Sequence, residues 1–143
     1  MEQDTIRLLR ECDAGVKMGI SSIDDVIGRV KQSEFRKTLT SSKNEHEEML
    51  EEISSQLCRM GDGGKEPNPM AKGMSWIKTN TKLGFDESDE TVADLMTDGC
   101  NMGVKSLHRY LNQYKDADDR SKDITKRLIN LEERLAIDIR SYL

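Results

Sequence analysis

From Asp4 to about Val30 the apolar residues Ile6, Leu9, Val16, Ile20, Ile23, Ile27 and Val30 return at steps of three and four, with one gap at Asp13. Such spacing keeps one face of an α-helix apolar, so it predicts a helix over about 4–30 with Asp4 or Thr5 as N-cap. A second stripe, Phe35, Leu39, Ser42, His46, Met49, Ile53 and Met60, is widened by Leu50 and Leu57. It predicts a helix over about 33–60, stopped by Gly61-Asp62-Gly63-Gly64. Leu95, Met96, Leu107, Tyr110, Leu111 and Tyr114 mark a third helix over about 90–115, with capping residues in Asp86–Glu90. Ile124, Leu128, Leu131, Leu135, Ile139 and Tyr142 mark a fourth over about 119–142. Residues 61–70 hold both prolines and form a linker. Met70, Met74, Trp76, Ile77 and Leu83 then suggest a short helix over about 70–83, inside a crossover spanning 61–89. Helices of about 25 residues run about 38 Å, the length of a bundle.

Cys12-Asp13-Ala14-Gly15-Val16-Lys17 recurs as Cys100-Asn101-Met102-Gly103-Val104-Lys105, and Glu47-Glu48 with Leu50 is echoed by Glu132-Glu133 with Leu135. A repeated helix pair joined by a long crossover describes one domain over 1–143: an all-α, ferritin-like four-helix bundle of two hairpins. A glycine recurring mid-helix costs about 1 kcal/mol against alanine, so it points to close helix–helix approach at that level. Composition agrees. Of 143 residues 34% are charged and 4% aromatic, which suits long amphipathic helices and disfavours a sandwich or barrel.

The C-x-x-G pattern of Cys12–Gly15 and Cys100–Gly103, the acidic second helix ending in a glycine-rich turn, and Trp76 in the crossover resemble an uncharacterised bacterial family of ferritin-like bundles. The resemblance covers about residues 4–142. It implies a four-helix bundle with a short crossover helix and no established reaction.

Net charge narrows the function classes. At −5, with no basic face, the chain is not expected to bind nucleic acid. Apolar runs of at most three residues predict no membrane span, and the acidic start Met1-Glu2-Gln3-Asp4 predicts no signal peptide. Three cysteines without a C-x-x-C pair suit the reducing cytoplasm, as small buried hydrophobes. A reactive thiol would need a basic neighbour, for which Arg10 and Arg59 are the candidates.

Metal chemistry in a ferritin-like bundle uses Glu-x-x-His on two helices, which sets carboxylate and imidazole on one face. His46 and His108 are each preceded at that spacing by a lysine, Lys43 and Lys105, so the standard six-ligand site does not form. A degenerate cluster of Asp13, His46, Glu48, His108 and Glu133 would be the iron or manganese alternative. The simpler reading is a buried Asp13–His46 hydrogen bond, or polar groups at the edge of the seams. Glu45, Glu47, Glu48, Glu51 and Glu52 read as a solvated face, partly balanced by Lys43 at i, i+4 from Glu47. Eight methionines read as core filling. Gly61–Lys65 follows a helix and lacks the Gly-Lys-Ser/Thr ending of a phosphate loop. No nucleophile–base pair is legible, and no enzyme activity is expected. The expected function is that of a non-catalytic cytoplasmic bundle acting through self-association, as a dimer, or through a protein partner. Leu8, Val26, Leu50 and Leu57 are the candidates for its second apolar surface. The alternative is a ferritin-like di-metal carboxylate protein.

Overall fold

The computed structural model describes residues 2–65 and 88–143. It is helical, with no strand among the described residues: α1 (Glu2–Ile27), α2 (Ser33–Arg59), α3 (Asp89–Gln113), α4 (Asp119–Asp138) and a 3-10 turn at Arg140–Tyr142. The short helix expected over 70–83 lies outside the described residues. No helix of the described residues is long and apolar enough to cross a membrane.

Local chemistry fixes the helix ends. Ser88 accepts a hydrogen bond from the Thr91 N–H at 3.1 Å, and Asp118 from the Ser121 N–H at 2.8 Å, so each caps the helix that follows it. At the end of α2 the Asp62 N–H bonds the Leu57 carbonyl and the Gly61 N–H bonds that of Cys58. Gly61 turns the chain with φ of +72°, a conformation an L side chain resists. The sequence nominated Asp4 and Thr5 to cap α1, but that helix begins earlier. Their oxygens instead accept from the backbone N–H groups of Asp116 and Asp118, at 3.2 and 2.8 Å. Asp89 in turn accepts from the Lys31 and Gln32 N–H groups, at 2.8 and 2.9 Å.

These cross-links set the topology. The start of α1 sits by the α3–α4 connection and its end by the start of α3, so α1 and α3 run antiparallel. Each hairpin, α1–α2 and α3–α4, packs most closely within itself; α2 then meets α4 and α1 meets α3. α2 ends and α3 begins at opposite ends of the helices, so these two are parallel.

The interior divides in two. One apolar cluster gathers Ile23, Val26, Val30, Phe35, Val92 and Ile139 near the α1–α2 turn, where Phe35 and Tyr142 stack with centroids 4.3 Å apart. The other gathers Leu9, Cys12, Val16, Ile53, Ile124 and Leu128 at the far end. In α1 the buried seam is Leu9, Cys12, Val16, Ile23 and Val26, with Gly19 completing the alternation of threes and fours and Val30 continuing it into the turn that follows. Ile6, Ile20 and Ile27, read from the sequence as seam residues, are half-buried on its flanks.

Candidate functional site

Between the two clusters lies a polar layer contributed by both hairpins. His46 of α2 is 1% exposed. One ring nitrogen, Nδ1, donates to the Ser42 carbonyl at 2.7 Å; the other, Nε2, meets Glu132 Oε1 of α4 at 2.6 Å. Burial works to lower the His46 pKa. The hydrogen bond and charge of Glu132, with the Ser42 carbonyl and Glu45, outweigh it and hold the imidazole above its ordinary value. Both ring nitrogens face oxygen acceptors, an arrangement that favours the imidazolium form paired with the Glu132 side chain.

Two glycines make room for that pair. A Cβ on Gly19 would stand 2.7 Å from His46 Nε2 and 2.8 Å from Cδ2, closer than real atoms pack. On α3, a Cβ at Gly103 would lie 3.7 Å from Glu132 Oε2, ordinary contact. Because the side chains that would fill the α1–α3 interface are absent, the layer opens on that side into a cleft of about 280 Å³. Gly15, Gly19, Gly99 and Gly103 border it, leucines and methionines from α1, α3 and α4 line it, and His46 and Glu132 form its polar end. Nearer one end Glu11 pairs with Lys65 and accepts from Tyr110.

The thiols are quiet. Cys12 bonds Thr125 Oγ1 at 3.2 Å, and burial pushes it up to about 12 despite that bond. Burial, and then the charge of Glu132, push Cys100 up as well. Both stay protonated at neutral pH, with carboxylates rather than cations beside them. Cys58 is exposed.

The candidate residues of the degenerate metal cluster do not meet. Asp13 is buried, as its place on the seam implied, but its oxygen bonds Lys17 Nζ and the Lys65 N–H, each at 2.9 Å. The Asp13–His46 hydrogen bond of the simpler reading is replaced by these partners and by Glu132. Glu48, His108 and Glu133 are exposed. Among the described residues no group of three or more His, Cys, Asp or Glu is placed to hold a metal ion. With both nitrogens of His46 committed, the pair does not fit a bridged di-metal centre.

Two of the five acids in the run on α2 are tied to α4, and Glu47, Glu48 and Glu51 are exposed. Glu52 receives a two-pronged bond from Arg127, at 2.9 and 2.6 Å, and Glu45 pairs with Arg134. Lys43, expected to balance Glu47, reaches Asp24 of α1 at 2.6 Å instead.

Glu132 and Gly19 are the members of the layer that sequence spacing missed. Glu132 neighbours the nominated Glu133, one step and about 100° round the helix. Gly19 carries no hydrophobic signal, yet it is the seam position that the three–four alternation demands. Comparison of the chain with family models, characterised proteins and solved structures gives no match.

Proposed function

We propose that the chain is a non-catalytic binding protein on a ferritin-like plan, and that its working part is the α1–α3 cleft. One observation carries this: a cavity of about 280 Å³ between apolar walls, ended by a pair of hydrogen-bonded charged groups. Small-molecule sites are built this way, with few polar groups to orient a ligand and apolar surface to hold it. A packed bundle without a ligand role gains by filling such a space, since each missing methyl costs about 1 kcal/mol. Support for the ferritin-like plan comes from the antiparallel hairpins and the parallel run of α2 and α3. The buried, protonated thiols suit the reducing cytoplasm expected from the sequence.

The residues nominated for self-association are largely used inside the chain. Leu8, Val26 and Leu57, nominated for a second apolar face, are at most 1% exposed within the single chain, and only Leu50 of the four is half-buried. The test of the binding reading is thermal unfolding against a panel of compact apolar molecules, for the native chain and for Gly103→Leu, which fills the cleft. Ligand-dependent stabilisation should appear in the first and vanish in the second. No stabilisation by any member of the panel would sink the reading. Elemental analysis after loading with ferrous iron and manganese addresses the di-metal alternative. About one or two ions per chain, abolished by His46→Ala, would favour it over the present reading.

A further inference from the structure

Accepting the cleft as a ligand site, we infer that its ligand is a neutral, compact hydrocarbon bearing one hydroxyl donor, an alcohol or phenol whose O–H bonds Glu132. The inference begins from the inventory of donors and acceptors at the polar end. Both His46 nitrogens are used, one by the Ser42 carbonyl and one by Glu132, so the imidazolium has no N–H left for a ligand. Glu132 is different. An ionised carboxylate has about four acceptor positions. His46 takes one and the Cys100 thiol another, which leaves about two. The His46–Glu132 pair therefore offers acceptors and no donor, so a ligand group that reaches Glu132 must donate to it; the Ser22 and Ser106 hydroxyls on the lining can serve its oxygen lone pairs.

Charge decides between the donors. Imidazolium and carboxylate cancel, so the polar end is close to neutral overall. A ligand carboxylate would face the Glu132 oxygens with no cation beside it, the His46 ring being spent on Ser42 and Glu132. A ligand ammonium would bring an unbalanced charge between leucine and methionine walls, at the cost of its hydration. A hydroxyl satisfies one Glu132 lone pair and adds no charge. The vacancy beside Gly103 is where it would sit, since a Cβ there would lie 3.7 Å from Glu132 Oε2.

Volume sets the body. An apolar cavity of about 150 Å³ accepts benzene, and the space here is about 280 Å³. The hydrocarbon is thus of two-ring size. Met18, Met96 and Met102 on its lining let the walls adapt to its outline.

The test is calorimetric titration of the whole chain at pH 7 with 2-naphthol, naphthalene and 2-naphthoate, which share a skeleton and differ in the end group. The expected order is 2-naphthol at least tenfold tighter than naphthalene, with 2-naphthoate weakest, although naphthalene is the more hydrophobic. Gly103→Val, which occupies the space beside Glu132 and keeps the His46–Glu132 pair, should lose at least tenfold for 2-naphthol. Equal affinity of naphthol and naphthalene, or preference for naphthoate, would overturn the assignment of a hydroxyl ligand and leave the cleft reading intact. Full retention in Gly103→Val would place binding elsewhere and overturn the assignment too. Binding of none of the three would overturn both.

Discussion

Gly15 and Gly19 stand one turn apart on α1 and gain the same helix propensity on becoming alanine, about 1 kcal/mol. Their surroundings differ. At Gly15 the new Cβ would have Leu128 Cδ2 at 4.0 Å, an ordinary contact. At Gly19 it would stand 2.7 Å from His46 Nε2, so the ring must retreat about 0.7 Å to reach the 3.4 Å of normal packing. That ring is pinned on both sides, by Ser42 at 2.7 Å and Glu132 at 2.6 Å, and a retreat of this size breaks or badly stretches one of the two bonds. Losing a hydrogen bond to a charged group costs about 1.5–3 kcal/mol. Gly19→Ala should therefore lose about 0.5–2 kcal/mol net, while Gly15→Ala gains up to about 1 kcal/mol. Urea unfolding with unchanged m-values measures both. In a His46→Ala background the obstacle is gone, and Gly19→Ala should become as favourable as Gly15→Ala. If Gly19→Ala already matches Gly15→Ala in the native chain, the polar layer is not packed as described and the reasoning fails.

Protonation of the pair should be visible in the pH dependence of stability. A folded-state His46 pKa above the unfolded 6.5 gives stability that is complete below pH 6.5 and is lost as pH rises through the folded value. Urea midpoints should therefore fall as pH is raised from 6.5. His46→Leu/Glu132→Leu, which removes both partners, should lack that slope; an unchanged slope would dismiss the pair as its source. Gly64 has φ of +87° and a Cβ there would lie 2.6 Å from Asp13 Oδ2, so Gly64→Ala should destabilise by about 1–2 kcal/mol or more. Gly63→Ala, with open space around it, is the near-neutral control. A thiol reagent should label Cys58 rapidly in the native chain and reach Cys12 and Cys100 on unfolding, read by mass spectrometry. Arg127→Ala should cost at most about 1 kcal/mol and less at high salt, because the Arg127–Glu52 pair faces solvent.

How far the chain could be read without coordinates depended on what each seam was made of. On α2 and α4 the stripe is written in large side chains, and Phe35, Leu39, Met49, Ile53, Ile124, Leu128, Leu131 and Leu135 are buried as spaced. On α1 the seam passes through Gly19, which hydropathy cannot register, so the stripe was centred toward Ile20 and Ile27. Asp13 and His46 stood out as polar groups on apolar faces, and both are buried. Lys17 lies one turn from Asp13 and Ser42 one turn from His46, within reach of an i, i+4 argument. The remaining partners were illegible because they come from elsewhere in the chain, a backbone N–H at Lys65 and a carboxylate on α4 that is one residue from the alternative. The cleft was illegible for a similar reason. It is made by side chains that are missing.

The pair of His46 and Glu132 also has a consequence for how the two halves choose each other. One hairpin supplies the imidazolium and the other the carboxylate. Two copies of the first hairpin, brought together from separate chains, would set cation against cation in a buried layer; two copies of the second would set carboxylate against carboxylate. Both arrangements would leave buried ionisable groups without the partner that the native pairing supplies. The recurrence of a sequence motif in both halves makes like-with-like assembly the natural error of such a chain, and this buried pair, with Arg127–Glu52 and Arg134–Glu45 nearer the surface, distinguishes the halves. It is indifferent to whether they belong to the same molecule, so reciprocal exchange of hairpins between two chains preserves every bond in the layer.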